Sequence, residues 1–162
     1  MRPDMAEVLP PDSVRSRYML VRPAHESDFA QVTELLEELG RPRVAYDRYG
    51  DVRDLYLSQL DDPDAEHLVA VEAGAVVGFC SMHFRRRLNR IEPEAWIPDL
   101  IVAREARGHG TARSLLLEAE ERARARGCWA IALESGQDRS DAHLLYRMAG
   151  MEEAGKFFRK RL

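Results

Sequence analysis

The chain has 162 residues, 45% of them hydrophobic and 32% charged, the composition of one globular domain with a sizeable core rather than of a disordered chain. A net charge of −4 at pH 7 gives no overall field to gather nucleic acid or anionic membrane, and no apolar run approaches the roughly 18 residues of a membrane span. Two cysteines, Cys80 and Cys128, are too few for a disulfide scaffold, and the first residues lack the apolar core of a signal peptide, so the sequence predicts a cytoplasmic protein.

Residues 1–17 are polar and Pro-rich and are expected to form a loose arm, which leaves 18–162 as the domain. Tyr18 to Arg22 reads as a strand stopped by Pro23. Ser27 or Glu26 could then cap a helix whose stripe is Phe29, Val32, Leu35, Leu36 and Leu39, with Gly40 ending it. A second helix is predicted from Tyr46 to Leu60, broken by Asp61-Asp62-Pro63-Asp64. His67–Val71 and Ala75–Phe84 flank the turn Glu72-Ala73-Gly74 and predict a β-hairpin. Gly78 inside the second strand suggests a bulge or a close approach. Arg85 to Arg90 reads as a charged loop, held apart by Pro93 from the next strand.

Leu100-Ile101-Val102, flanked by Trp96 and Ile97, is short and bulky enough for a buried strand. A polar elbow, Arg104 to His109, precedes a helical pattern at Ala112, Leu115, Leu116, Ala119 and Ala123, which stops at Gly127. Strand, glycine turn and helix in that order make an anion site, because the free N–H groups of the helix's first turn face the elbow with the helix dipole behind them. Gly-Lys-Ser/Thr does not close this loop, so it is not a Walker A loop. It is not a dinucleotide fingerprint either, since the third glycine would fall on Arg113. Cys128–Leu133 predicts another buried strand, Asp138 or Ser140 the start of a helix reaching Met148, and Glu152 to the end, with Phe157-Phe158, a final strand pair or bent strand.

Arg107-Gly108-His109-Gly110-Thr111-Ala112, following Asp99-Leu100-Ile101-Val102, resembles the pyrophosphate-binding motif of the GNAT acetyltransferases, Arg/Gln-x-x-Gly-x-Gly/Ala. Ala142 to Met151 is similar to the family's second signature, a helix of the form Ala-x-x-Leu/Phe-Tyr-x-x-x-Gly-Phe, with Met151 in place of the final Phe. Many members carry a cofactor-contacting Asn three to four residues before that Ala. This chain has Asp138-Arg139-Ser140 there, and Arg139 could reach the cofactor's phosphates instead.

The resemblance implies the GNAT fold: α/β (α+β), a mixed, mostly antiparallel central sheet of six to seven strands flanked by about four helices. It implies an acetyl-CoA-dependent N-acetyltransferase that moves the acetyl group to a primary amine by direct attack in a ternary complex. The alternative is a non-catalytic CoA-binding module of the same fold. Acetyl-CoA would be held at Ile101, Val102, Arg107, Gly108, His109, Gly110, Thr111, Ala112 and Arg139, with backbone N–H groups near Ile101-Val102 as oxyanion donors. Tyr146 is implied as the acid, since a phenol of pKa about 10 can protonate a departing thiolate. For the base, Asp99 comes first because an unpaired carboxylate in a buried strand is costly, with Glu92, Glu94 and Glu134 as alternatives. His83, His109 and His143 read more readily as structural or exposed, and no metal-ligand spacing occurs. The acceptor is expected to be a small-molecule or peptide amine, with no nucleic-acid or membrane partner. Arg85-Arg86-Arg87 and the tail Lys156, Arg159, Lys160 and Arg161 read as solvated faces, and homodimers are common in the family.

Overall fold

The computed structural model describes residues 18–162, so the arm expected over 1–17 lies outside the described residues. Among the described residues five strands and four α-helices follow one another as β1 (Met19–Pro23), α1 (Phe29–Leu39), α2 (Tyr49–Leu60), β2 (Ala65–Glu72), β3 (Ala75–Arg87), β4 (Arg90–Val102), α3 (Thr111–Ala125), β5 (Ala130–Leu133) and α4 (Ser140–Met148). The strands form one sheet in sequence order, antiparallel from β1 to β4 and parallel between β4 and β5. The single parallel pair is the one whose connection contains a helix, as such a crossover requires.

The start of α1 differs from expectation in its capping residue. Neither Ser27 nor Glu26 caps it; Glu26 pairs with Arg53 instead. Buried Asp28, closing a 3-10 turn over Glu26–Asp28, accepts the His25 N–H at 2.8 Å and both ends of the Arg22 guanidinium at 2.7 and 2.9 Å. That pairing with Arg22, against the opposing effect of burial, holds the Asp28 carboxyl below its usual range. A second 3-10 turn, Tyr46–Arg48, leads into α2 where the sequence predicted unbroken helix.

The β2–β3 hairpin closes through Ala73 and Gly74 with φ of 50° and 84°, the positive pair a tight twisted hairpin turn needs. Gly78 is a close approach: a Cβ there would lie 2.9 Å from Leu115 Cδ1 and 3.3 Å from the Ile101 carbonyl oxygen, so α3 rests directly on β3. Leu115, Leu116, Leu68, Met82 and Ile97 are buried to 1% exposure or less and form the centre of the core. At the far end of α3, Gly127 (φ 68°) and the Cys128 N–H to Ala123 C=O bond close the helix, which is why β5 begins at Ala130 rather than Cys128.

Two further expectations are corrected. Arg85–Arg90 is not a loop, since β3 runs to Arg87 and β4 starts at Arg90. Arg85 sits opposite Glu94 in the ladder and its Nε donates to the Glu94 carboxylate at 2.8 Å, which carries the pairing outward. The final strand expected from Glu152 is absent; residues 149–162 have no regular structure, and among the described residues the sheet has five strands rather than six or seven.

Candidate functional site

The site is shaped by an irregularity in β4. Ser81 faces Asp99 and His83 faces Trp96, so β4 covers with three residues what β3 covers with two. The extra residue falls at Ile97-Pro98 and bends the strand. Pairing with β5 ends at the same place, at Ile97↔Leu133. Pro98 has no N–H to continue it. Beyond Ile97 the two strands part, and the β5-facing edge of Pro98 to Val102 is left without a neighbouring strand among the described residues.

The polar groups of that open edge follow from the pleat. The Ala103 N–H bonds to Val77 O on β3 at 2.9 Å. Alternation then turns the amides of Ile101 and Asp99 to β3 and those of Leu100 and Val102 to the gap. The Val102 carbonyl agrees, because it accepts Arg107 Nε at 2.9 Å from the gap side. The sequence directed attention to Ile101-Val102; the open-edge donors are Leu100 and Val102, while Ile101 is a buried side chain opposite Phe79.

The elbow stands at the end of this edge. Gly108 and Gly110 have φ of 79° and 84°, and Gly110 is the residue before α3. A Cβ at either would meet nothing within 4 Å, so the space beside both glycines is open. The first helical bond runs from Ser114 N–H to Gly110 O, leaving the N–H groups of Thr111, Ala112 and Arg113 at the helix mouth. Thr111 is buried and Ala112 packs on the core, so at these positions the backbone is what faces outward; His109 is exposed. The Arg107 guanidinium is already engaged, donating to Val102 O and pairing with Glu38 of α1 at 2.6 Å. It braces the elbow against the sheet and α1.

A cleft of about 520 Å³ opens beside the β4 edge. Tyr146 of α4, Leu100, Pro98, Arg41, Glu134 and Arg139 are among its walls. The elbow residues are not among them, so the open edge links two separate places. His143 and Tyr146, three residues apart, share one face of α4, and Arg139 is the residue before the helix. Burial raises the pKa of the Tyr146 phenol, and the nearby Arg139 guanidinium only partly offsets this. Tyr146 therefore keeps its proton at neutral pH. Ser135 Oγ, in the same wall, is buried with no hydrogen-bond partner among the described residues.

Asp99 is not itself a wall of this cleft; it lies between two residues that are, Pro98 and Leu100, and its carboxylate meets a third, Arg41. Its Oδ1 takes Arg41 Nε at 2.7 Å and Nη2 at 2.6 Å, and Ser81 Oγ donates to Oδ2 at 3.2 Å. The other carboxylates are placed differently. Glu94 is buried under Arg85 and Arg87, at 2.8 and 3.5 Å; Glu92 is exposed on the β3–β4 hairpin; Glu134 is exposed at the cleft. Arg85 and Arg87 are thus ion-paired rather than merely solvated, and Arg85 also lies over the Trp96 ring. His83 is half-buried between Trp96 and His67. His67, which the sequence did not single out, is buried and held neutral, its pKa pushed down to about 4 chiefly by burial. Cys80 is fully buried, and burial pushes its thiol up to about 12, so it is not a nucleophile. Among the described residues no group of three or more His, Cys, Asp and Glu side chains could hold a metal ion, and no helix is long and apolar enough to cross a membrane.

The family model described as the acetyltransferase (GNAT) family matches residues 30–151. An aminoalkylphosphonate N-acetyltransferase of Salmonella typhimurium is 31% identical over 142 residues, covering 88% of this chain and 90% of the relative. An IAA acetyltransferase of Azospirillum brasilense is 33% identical over 135 residues, covering 78% and 80%. Among solved structures, one titled a transcriptional regulator from Bacillus halodurans aligns with a TM-score of 0.80 at 27% identity, over 90% of this chain and all of the other.

Proposed function

Because this chain belongs to the acetyltransferase (GNAT) family and is an acyltransferase that moves acetyl groups to amines, we propose that it carries the acetyl group of acetyl-CoA directly to a primary amine of a small molecule in one ternary complex. The observation that carries this reading is the parting of β4 and β5 after Ile97, which leaves an open strand edge running between a glycine elbow and a protonated tyrosine.

The elbow residues fit the cofactor's pyrophosphate. The unbonded N–H groups of Thr111, Ala112 and Arg113 stand at a helix N-terminus, and the space a Cβ would take at Gly108 or Gly110 is open, which leaves room for the anion. His109 flanks it from solvent. The free backbone edge of Leu100 and Val102 can hold an extended amide-bearing arm as a strand would, and its N–H groups can stabilise charge on the thioester oxygen. Acetyl-CoA supplies the activated acyl group.

The chain's side chains manage two protons. Tyr146 gives its proton to the departing sulfur, which an alkyl thiolate needs at neutral pH. Arg139, the residue before the helix, is close enough to favour the resulting negative charge. Asp99 Oδ2, which accepts only from Ser81 among the described residues, faces the amine and takes its proton, with Arg41 holding the carboxylate still. The names of the two relatives support a small acceptor. The unpaired thiols of Cys80 and Cys128 fit a reducing compartment, which supports a cytoplasmic location.

The test is an amine panel with acetyl-CoA, following free thiol and identifying the N-acetyl product by mass. Turnover is expected with at least one small primary amine. Thiol release at the same slow rate with every amine and with none would overturn the proposal.

A further inference from the structure

Three guanidiniums, from Arg41, Arg139 and Arg159, line the cleft beside Tyr146 in a chain whose net charge is −4. They reach it from unrelated places: the residue after the α1 C-cap, the residue before α4, and the C-terminal tail. The cofactor's pyrophosphate does not account for them all, because the elbow residues do not border this cleft. Arg139 is next to the Tyr146 phenol and belongs to the leaving-group side. Arg41 and Arg159 remain.

Arg41 is tied down by two groups. Its Nε and Nη2 grip Asp99 Oδ1, and Nη2 also donates to Pro98 O at 3.0 Å. Its Nη1 has no partner among the described residues, and Asp99 Oδ2 accepts only from Ser81. A cation and an anion therefore stand side by side, each with unused hydrogen-bonding capacity. Arg159 has no ion pair among the described residues; its guanidinium packs 5.1 Å from the ring of Phe157, another wall of the cleft.

From this juxtaposition we propose that the acceptor is a small zwitterion: a primary amine one or two carbons away from a phosphonate, phosphate or carboxylate. Its amine faces Asp99, and its anion is held by Arg41 and Arg159. The short spacing follows from the Arg41–Asp99 contact of 2.6 Å, since a molecule answering both charges must carry its own pair only a few atoms apart. An Arg fork suits a planar carboxylate or a phosphonate equally, so the anion's chemistry is shared between these classes. The substrate class rests on the acetyl-transfer reading above; the anion site itself does not.

The experiment compares 2-aminoethylphosphonate, β-alanine and propylamine as acceptors, in kcat/KM, for the parent, Arg159→Gln and Arg159→Lys. Calorimetry of 2-aminoethylphosphonate with the CoA-bound protein reads the anion site without turnover. A zwitterion is expected to exceed propylamine by about 100-fold or more. Arg159→Gln should lower that ratio roughly 10- to 100-fold, mostly through KM, as loss of one charged hydrogen-bond partner does, and Arg159→Lys should restore part of it. The better of phosphonate and carboxylate identifies the anion. Propylamine matching both zwitterions, or Arg159→Gln lowering all three acceptors equally, overturns the proposal. If no amine is acetylated, acetyl transfer falls as the function, and calorimetry alone decides the anion site: binding weakened at least tenfold by Arg159→Gln upholds it, and no binding to the parent ends it.

Discussion

Replacing Tyr146 by Phe keeps the ring in the cleft wall and removes one O–H. The size of the effect is set by the leaving group. A cysteine-like thiol has a pKa of about 8.5, so at pH 7 expelling it unprotonated costs about 1.5 pH units, or about 2 kcal/mol, roughly 30-fold in rate. Loss of a positioned acid typically costs about 100- to 10,000-fold, but this cleft is open to water, which can deliver the proton less well. The expected fall in kcat is therefore about 10- to 1000-fold, with acetyl-CoA affinity within a few-fold of the parent. The deficit should shrink above about pH 8.5, where the thiolate is the stable product anyway. Burial keeps the Tyr146 proton in place through the neutral range, so the parent should not lose its advantage there. The assay is thiol release across about pH 6.5 to 9.5, with affinity by calorimetry. A folded Tyr146→Phe protein with the parent's kcat at pH 7 would refute the role, and an equal loss in affinity and turnover would mark Tyr146 as packing.

Gly110→Glu should abolish acetyl-CoA binding by calorimetry, because it places a carboxylate in the open cradle and an L side chain at φ 84°; unchanged affinity in a folded variant would move the pyrophosphate site elsewhere. Asp99→Asn should lower turnover and displace the acidic limb of the pH–rate profile; a limb that stays in place assigns the amine's proton to water or another group. The Asp28 carboxyl is held below its unfolded pKa of about 3.9, so its contribution is complete above that value and is lost as pH falls through the lower folded value. Asp28→Asn should therefore cost about 2–3 kcal/mol in urea unfolding at pH 7, less than a fully buried pair because Arg22 is partly exposed, and the difference should narrow toward pH 2. Equal stability at pH 7 would show that the Arg22–Asp28 pair contributes nothing.

What the sequence determined by itself was local. Gly40 and Gly127 ended helices where expected, Ala73-Gly74 closed a hairpin, and Gly108 and Gly110 made an elbow, because each conformation depends on a few adjacent backbone angles and helix-end bonds. The place of Tyr146 on a short helix closed by Gly150 was legible for the same reason, being set within one helix and its cap. What only the tertiary structure decided were pairings between distant residues. Asp99 meets Arg41 across 58 positions and Arg107 meets Glu38 across 69, so neither the restrained carboxylate nor the engaged guanidinium could be read from its neighbours. Glu94 passed from a candidate base to a buried structural partner once β3 aligned it with Arg85. The tail was expected to add a strand from its composition, yet residues 149–162 join no ladder and instead bring Phe157 and Arg159 to the cleft. Strand formation and ion pairing depend on which partner the folded sheet brings within about 3 Å, and no local pattern carries that information.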